Sequence, residues 1–126
     1  MKTTLTIEQS AELIKRGVSE RRATSSVWSP SENAYIHPTF TLTDLLSLLP
    51  KHIRIEHRHY YLRMNTFVLT DEKNPMWIAR YITSNSAITL HERWSEELID
   101  ALYKLIISLL DNHVKPDGND ERRSDR

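Results

Sequence analysis

The segment from 98 to 110 limits what this chain can fold into more than any other. Leu98, Leu102, Leu105 and Leu109 recur at helical spacing, and Ile99, Ile106 and Leu110 widen the stripe, with Tyr103 and Ile107 on its flanks. At about 100° per residue, the polar positions Asp100, Lys104, Ser108 and Asp111 fill only a narrow arc. Such a helix needs cover on more than one side. The spacing predicts a helix over 96–112, with Ser95 as N-cap candidate and Glu96 and Glu97 in a first turn where negative charge favours the helix dipole.

Two earlier helices supply part of that cover. Thr6-Ile7-Glu8-Gln9 has the reciprocal capping pattern, Ile7, Ala11 and Ile14 follow at helical spacing, and Gly17 stands where a left-handed cap would close a helix over 7–16. Thr41 and Asp44 begin a second helix over 42–49, which Pro50 ends. Leu42, Leu45, Leu46 and Leu49 are expected on its core face. Between these helices, residues 19–23 suit one helical turn. Residues 24–40 set Val27, Trp28, Tyr35, Ile36 and Phe40 among Ser, Pro and Asn, the pattern of an ordered connection pinned by its aromatic surface.

From His52 to His91 the apolar period changes to two. Ile53 and Ile55 alternate with polar neighbours, then Tyr60, Leu62, Met64 and Thr66 continue in the opposite parity, so a turn or bulge is expected near residues 56–59. That strand is expected to run to about Leu69. A turn over 71–75, a strand over 76–82, the turn Ser84-Asn85-Ser86 and a short strand over 87–91 complete the region. Short connections predict antiparallel neighbours. On the 76–82 strand Trp77 and Tyr81 share one parity and Ile78 and Ile82 the other, as in a central strand. The expected fold class is α+β: one domain over 1–114, an antiparallel sheet of three to four strands with about three helices on one face, then a charged, apolar-free tail over 115–126 read as disordered.

Three blocks carry a resemblance. Leu5-Thr6-Ile7-Glu8-Gln9-Ser10 with Leu13-Ile14 and Gly17-Val18, the run from Phe40 to Lys51, and Glu97-Leu98-Ile99-Asp100-Ala101-Leu102-Tyr103 together resemble a family of small phage and mobile-element proteins of gut Bacteroidetes-type anaerobes. They cover roughly a third of the chain and coincide with the expected core helices. The resemblance implies an accessory protein of a phage or integrated element, and it brings no catalytic residues with it. The basic, His-rich stretch 52–63 departs from the more acidic character of the relatives.

Composition removes several function classes. The absence of cysteine excludes disulfides, thiolate metal sites and cysteine nucleophiles. Two glycines cannot build a phosphate-cradling loop. Balanced charge gives no long-range pull toward nucleic acid or anionic membrane, no apolar run is long enough to span a bilayer, and no apolar signal core follows Met1; a soluble protein in the cytoplasm of a bacterial host is expected.

No nucleophile elbow or metalloprotease helix is present; Asp44 and Asp100, the acids embedded in apolar helices, are read as helix residues rather than a catalytic pair. No cofactor is expected. The wide apolar arc of the 96–112 helix and the two apolar faces of the 76–82 strand make protein–protein binding, self-association included, the leading expectation, through apolar surface edged by the basic strands. Arg54, His57, Arg58, His59, Tyr60, Tyr61, Arg63 and Trp77 are the candidate contacts. The alternative, not favoured because Glu56 interrupts the patch and the chain is neutral, is a small nucleic-acid binder using arginines interleaved with tyrosines. A weaker alternative is a metal-dependent enzyme in which His57 and His59 are completed by His91 or Glu92.

Overall fold

The computed structural model describes residues 1–68 and 75–112. It is an α+β fold with helices α1 (Ile7–Lys15), α2 (Leu42–Leu48) and α3 (Leu98–Asp111) and strands β1 (Ser25–Ser29), β2 (Ala34–Thr39), β3 (His52–Ile55), β4 (Arg58–Phe67), β5 (Met76–Ile82) and β6 (Thr89–Ser95). The strands form an antiparallel meander in the order β3-β4-β5-β6 and a separate antiparallel hairpin, β1-β2. The expected turn over 71–75 and the tail over 115–126 fall wholly or largely outside the described residues.

Local chemistry sets the helix ends. Thr6 Oγ1 accepts from the Gln9 amide at 3.0 Å while Gln9 Oε1 accepts from the Thr6 amide at 3.0 Å, so two donors without helical partners are satisfied reciprocally. Gly17 follows at φ 109, a conformation that costs other residues energy. Thr41 and Asp44 repeat the reciprocal arrangement at the start of α2. At α3 the expectation fails by two residues. Glu97 occupies the N-cap position without a side-chain cap, and Ser95 ends β6, its Oγ accepting from the Glu97 amide at 3.3 Å.

One apolar cluster joins the layers. Leu13, Phe40, Leu45, Leu48, Ile99, Leu102, Leu105 and Leu109 meet Ile53, Tyr60, Ala79 and Tyr81 from the sheet. Leu102, Leu105, Ile106 and Leu109 are fully enclosed, so the broad apolar arc of α3 is covered within the chain by α2, β5, β6 and their neighbours. On α2 the buried arc runs through Asp44, Leu45 and Leu48, and Leu46 is exposed. Of the four leucines expected on the core face, Leu45 and Leu49 are buried and Leu42 packs against the core, while Leu46 stays at the surface and Asp44, bonded to Thr24, is buried beside them.

Residues 24–40 are ordered, but as a β-hairpin rather than a connection. Ser25 pairs with Thr39, Trp28 with Tyr35 and Ser29 with Ala34, with a register shift between Val27 and Trp28. Alternation is broken there, which hides the strands from a period-two reading. The expected change of phase in the main sheet is a two-residue turn at Glu56 and His57, since Ile55 pairs with Arg58. β5 is central, between β4 and β6. β6 runs longer than expected because two residues, His91 and Glu92, oppose Arg80 in a bulge, with His91 at φ 54. Among the described residues no helix is long and apolar enough to cross a membrane.

Candidate functional site

The pleat sorts the sheet residues onto two faces. One face carries Ile53, Tyr60, Leu62, Ala79 and Tyr81 into the helical layer. The other carries His52 and Arg54 from β3, His59, Tyr61, Arg63 and Asn65 from β4, Ile78, Arg80 and Ile82 from β5, and Trp94 from β6. This outer face is held together by its own side chains. His52 and His59 stack at 4.8 Å with one ring nitrogen donating to the other across 2.6 Å, and Tyr61 lies 5.1 Å from the His52 ring. Arg80 reaches Glu92 at 3.5 Å, and Glu92 accepts from the Trp94 indole at 2.6 Å. Phe67 meets the Trp94 ring edge-on at 4.8 Å. Under this cover Ile78 and Ile82 are buried.

The candidate contacts divide accordingly. Arg54, His59, Tyr61 and Arg63 come together on the outer face. His57 stands in the β3–β4 turn beside Glu56, and Arg58 opens β4 at the exposed end of the sheet. Tyr60 is buried in the core, and Trp77 packs half-buried against it, so neither is a surface contact. Reading 52–63 as one patch missed that Tyr60 and Tyr61 point to opposite faces, as strand alternation requires. An open cleft of about 800 Å³ at this end is lined by His57, Arg58, His59, Tyr61, Thr83 and Asn85.

The proposed His57, His59 and His91 constellation does not assemble. His57 is in a turn, His59 pairs with His52, and His91 sits in the β6 bulge, where burial and then the nearby Arg93 lower its pKa. Among the described residues no three His, Cys, Asp or Glu side chains are placed to hold a metal ion. Asp44 and Asp100 are each committed to structure. Asp44 accepts from Thr24 and Thr41, and Asp100 accepts from Lys2 Nζ at 2.7 Å and Gln9 Nε2 at 3.0 Å. Burial alone would raise the Asp100 pKa, but these donors outweigh it and the net direction is down.

A second exposed surface went unassigned in the sequence. The β1–β2 hairpin presents Val27, Trp28, Tyr35 and Ile36 to solvent, with Tyr35 68% and Trp28 43% exposed and their rings edge-to-face at 5.0 Å. Its base is fixed to the helices: the Phe40 amide donates to Ser10 Oγ, and Asp44 accepts from both the Thr24 amide and hydroxyl at 2.9 Å. The signal was present in the aromatic density of 24–40, but only the tertiary structure shows how much of these side chains stays exposed.

No protein-family model, curated protein or solved structure matches the chain.

Proposed function

We propose that this chain is a non-enzymatic binding protein, an accessory factor of a phage or mobile element that docks onto a protein partner through its β1–β2 hairpin. One observation carries the reading: Trp28 and Tyr35 stand exposed ring to ring, with Val27 and Ile36 exposed on the same hairpin, whose base is anchored by hydrogen bonds to the helices. Isolated exposed apolar residues are ordinary in proteins. A paired, exposed Trp and Tyr is the composition of an interface centre, because those rings bury large area while losing few rotamers. Holding them on a fixed two-stranded ribbon lowers the ordering cost of association. The phage or mobile-element origin rests on the sequence resemblance, and the expectation that α3 offers the interface is withdrawn because α3 is covered.

The test is capture of partners from a phage-bearing host by the full chain, by a Trp28→Ser/Tyr35→Ser variant and by Leu46→Ser as an exposed-leucine control. The reading expects a stoichiometric partner held by the first and last and lost from the hairpin variant. Equal capture by all three refutes it. Sedimentation of the pure protein over a range of concentrations tests a second copy as the occupant; association abolished in the hairpin variant would make this surface a self-association site.

A further inference from the structure

The outer face of the main sheet presents a different chemistry from the hairpin. On this face strands β3, β4 and β5 carry Arg54, Arg63 and Arg80 and no acid, and Glu92 of β6 reaches in to Arg80. Net negative charge lies at α3, where Glu96, Glu97, Asp100 and Asp111 outnumber Lys104, whereas Glu8 and Glu12 on α1 are matched by Lys15 and Arg16. The neutral total therefore conceals a separation of charge between the two faces, and neutrality of the whole chain is no argument against a local anion site.

Register sharpens this. Arg63 and Arg80 are direct cross-strand partners on this face, and like charges placed opposite each other destabilise a sheet. Arg80 is met by Glu92 at 3.5 Å, a carboxylate it shares with the Trp94 indole, and Arg80 Nε is buried with no hydrogen-bond partner. Among the described residues neither Arg54 nor Arg63 has a carboxylate within ion-pair distance. Beside these cations lie the rings of His52, His59 and Tyr61, spaced 4.8 and 5.1 Å, with Tyr61 39% exposed. Unpaired guanidinium groups flanking aromatic rings on a helix-free sheet face match a polymer that alternates phosphate charge with planar bases.

We infer that this face binds single-stranded nucleic acid: Arg54, Arg63 and Arg80 contact phosphates, and Tyr61, supported by the His52–His59 pair, stacks on a base. The site is independent of the hairpin, so the chain has two surfaces of different chemistry, one for protein and one for a single strand.

The experiment is fluorescence anisotropy of a fluorescein-labelled oligouridine or oligothymidine of roughly 15 nucleotides with the full chain. Binding in the micromolar range is expected at about 50 mM salt, falling roughly 18-fold at about 200 mM if three phosphates are neutralised. Arg63→Ala should weaken binding and flatten the salt dependence by about a third. Tyr61→Ala should weaken it about tenfold through lost stacking. Trp28→Ser/Tyr35→Ser should leave it unchanged, which keeps this site distinguishable from the hairpin. Circular dichroism confirms that each variant is folded, and Arg63→Gln serves as a milder replacement should the alanine variant unfold. The inference is overturned by no saturable binding at low salt, by Tyr61→Ala binding as well as the parent, by a duplex binding as tightly as the single strand, or by oligoglutamate displacing the oligonucleotide at equal charge. The last outcome would mark an acidic protein segment as the occupant.

Discussion

Replacing Asp44 should test the fold where it bears most directly on the hairpin. Asp44 is 5% exposed and, among the described residues, no cation lies within ion-pair distance of it; its carboxylate accepts from the Thr24 amide at 2.9 Å, the Thr24 hydroxyl at 2.9 Å and the Thr41 amide at 2.9 Å. One side chain thus closes the N-terminus of α2 and ties down the chain entering β1. Asp44→Ala strands two amide donors in a part-buried setting and frees one hydroxyl that can turn to another acceptor. Loss of the capping interaction costs about 1 kcal/mol. Each amide bond to a carboxylate contributes about 1.5–3 kcal/mol, less than additively when the donors share an acceptor. The expected total is about 3 kcal/mol, which at a urea dependence of about 1.5 kcal/mol/M lowers the unfolding midpoint by about 2 M. Unfolding followed by tryptophan fluorescence and far-ultraviolet circular dichroism measures it. Asp44→Asn keeps one acceptor and should fall between. In a cycle with Thr24→Val, the two changes should couple by about 1 kcal/mol, because both remove the same hydroxyl–carboxylate bond. A destabilisation below about 0.5 kcal/mol for Asp44→Ala, or strict additivity with Thr24→Val, would refute the assignment of Asp44 as the tie between hairpin and helix.

Other perturbations have definite signs. Tyr81 donates to the Pro50 carbonyl at 2.7 Å within the core, and burial raises its pKa far above the ordinary phenol value. Its stabilisation is complete below about pH 10, where the unfolded phenol begins to ionise, and is lost as pH rises further; Tyr81→Phe should cost about 1 kcal/mol at neutral pH and flatten that alkaline loss in denaturation curves. Lys2→Ala should move the Asp100 pKa up toward the ordinary carboxylate range, read by carboxyl carbon resonances. Since the folded value is depressed, the stability this carboxylate gives is present above the unfolded pKa and disappears as pH falls through the folded one. His91 at φ 54 should tolerate glycine with little change in thermal midpoint, whereas His91→Val should lower stability by about 1–2 kcal/mol through left-handed strain. Glu56→Gly, at φ 60 in the β3–β4 turn, should raise stability by about 0.5–1 kcal/mol.

The positive-φ positions show how far the reading of turns extends. Scarce glycine implies that bends rest on other residues, and Asn33 and Ser86 fit that expectation because short polar side chains tolerate left-handed backbone. Glu56 and His91 do not. Each adopts the strained conformation because pairing on both sides demands it: a two-residue turn between Ile55 and Arg58, and a bulge opposite Arg80. Nothing about a glutamate or a histidine in isolation signals that demand.

Periodicity and capping are short-range properties, so the sequence by itself determined the three helices, the change of phase at Glu56 and the central place of β5. Coverage is a long-range property, and only the tertiary structure decided it. The α3 stripe, apolar enough to suggest an interface, is enclosed by the chain's own layers, while Trp28 and Tyr35 stay in solvent. Tyr60 and Tyr61, adjacent in sequence, part to the core and to the open face. An apolar residue declares that it should be buried, and a basic one that it should meet an anion. Whether the fold itself supplies either partner depends on which elements pack together, and that leaves the hairpin rings and the sheet arginines facing outward.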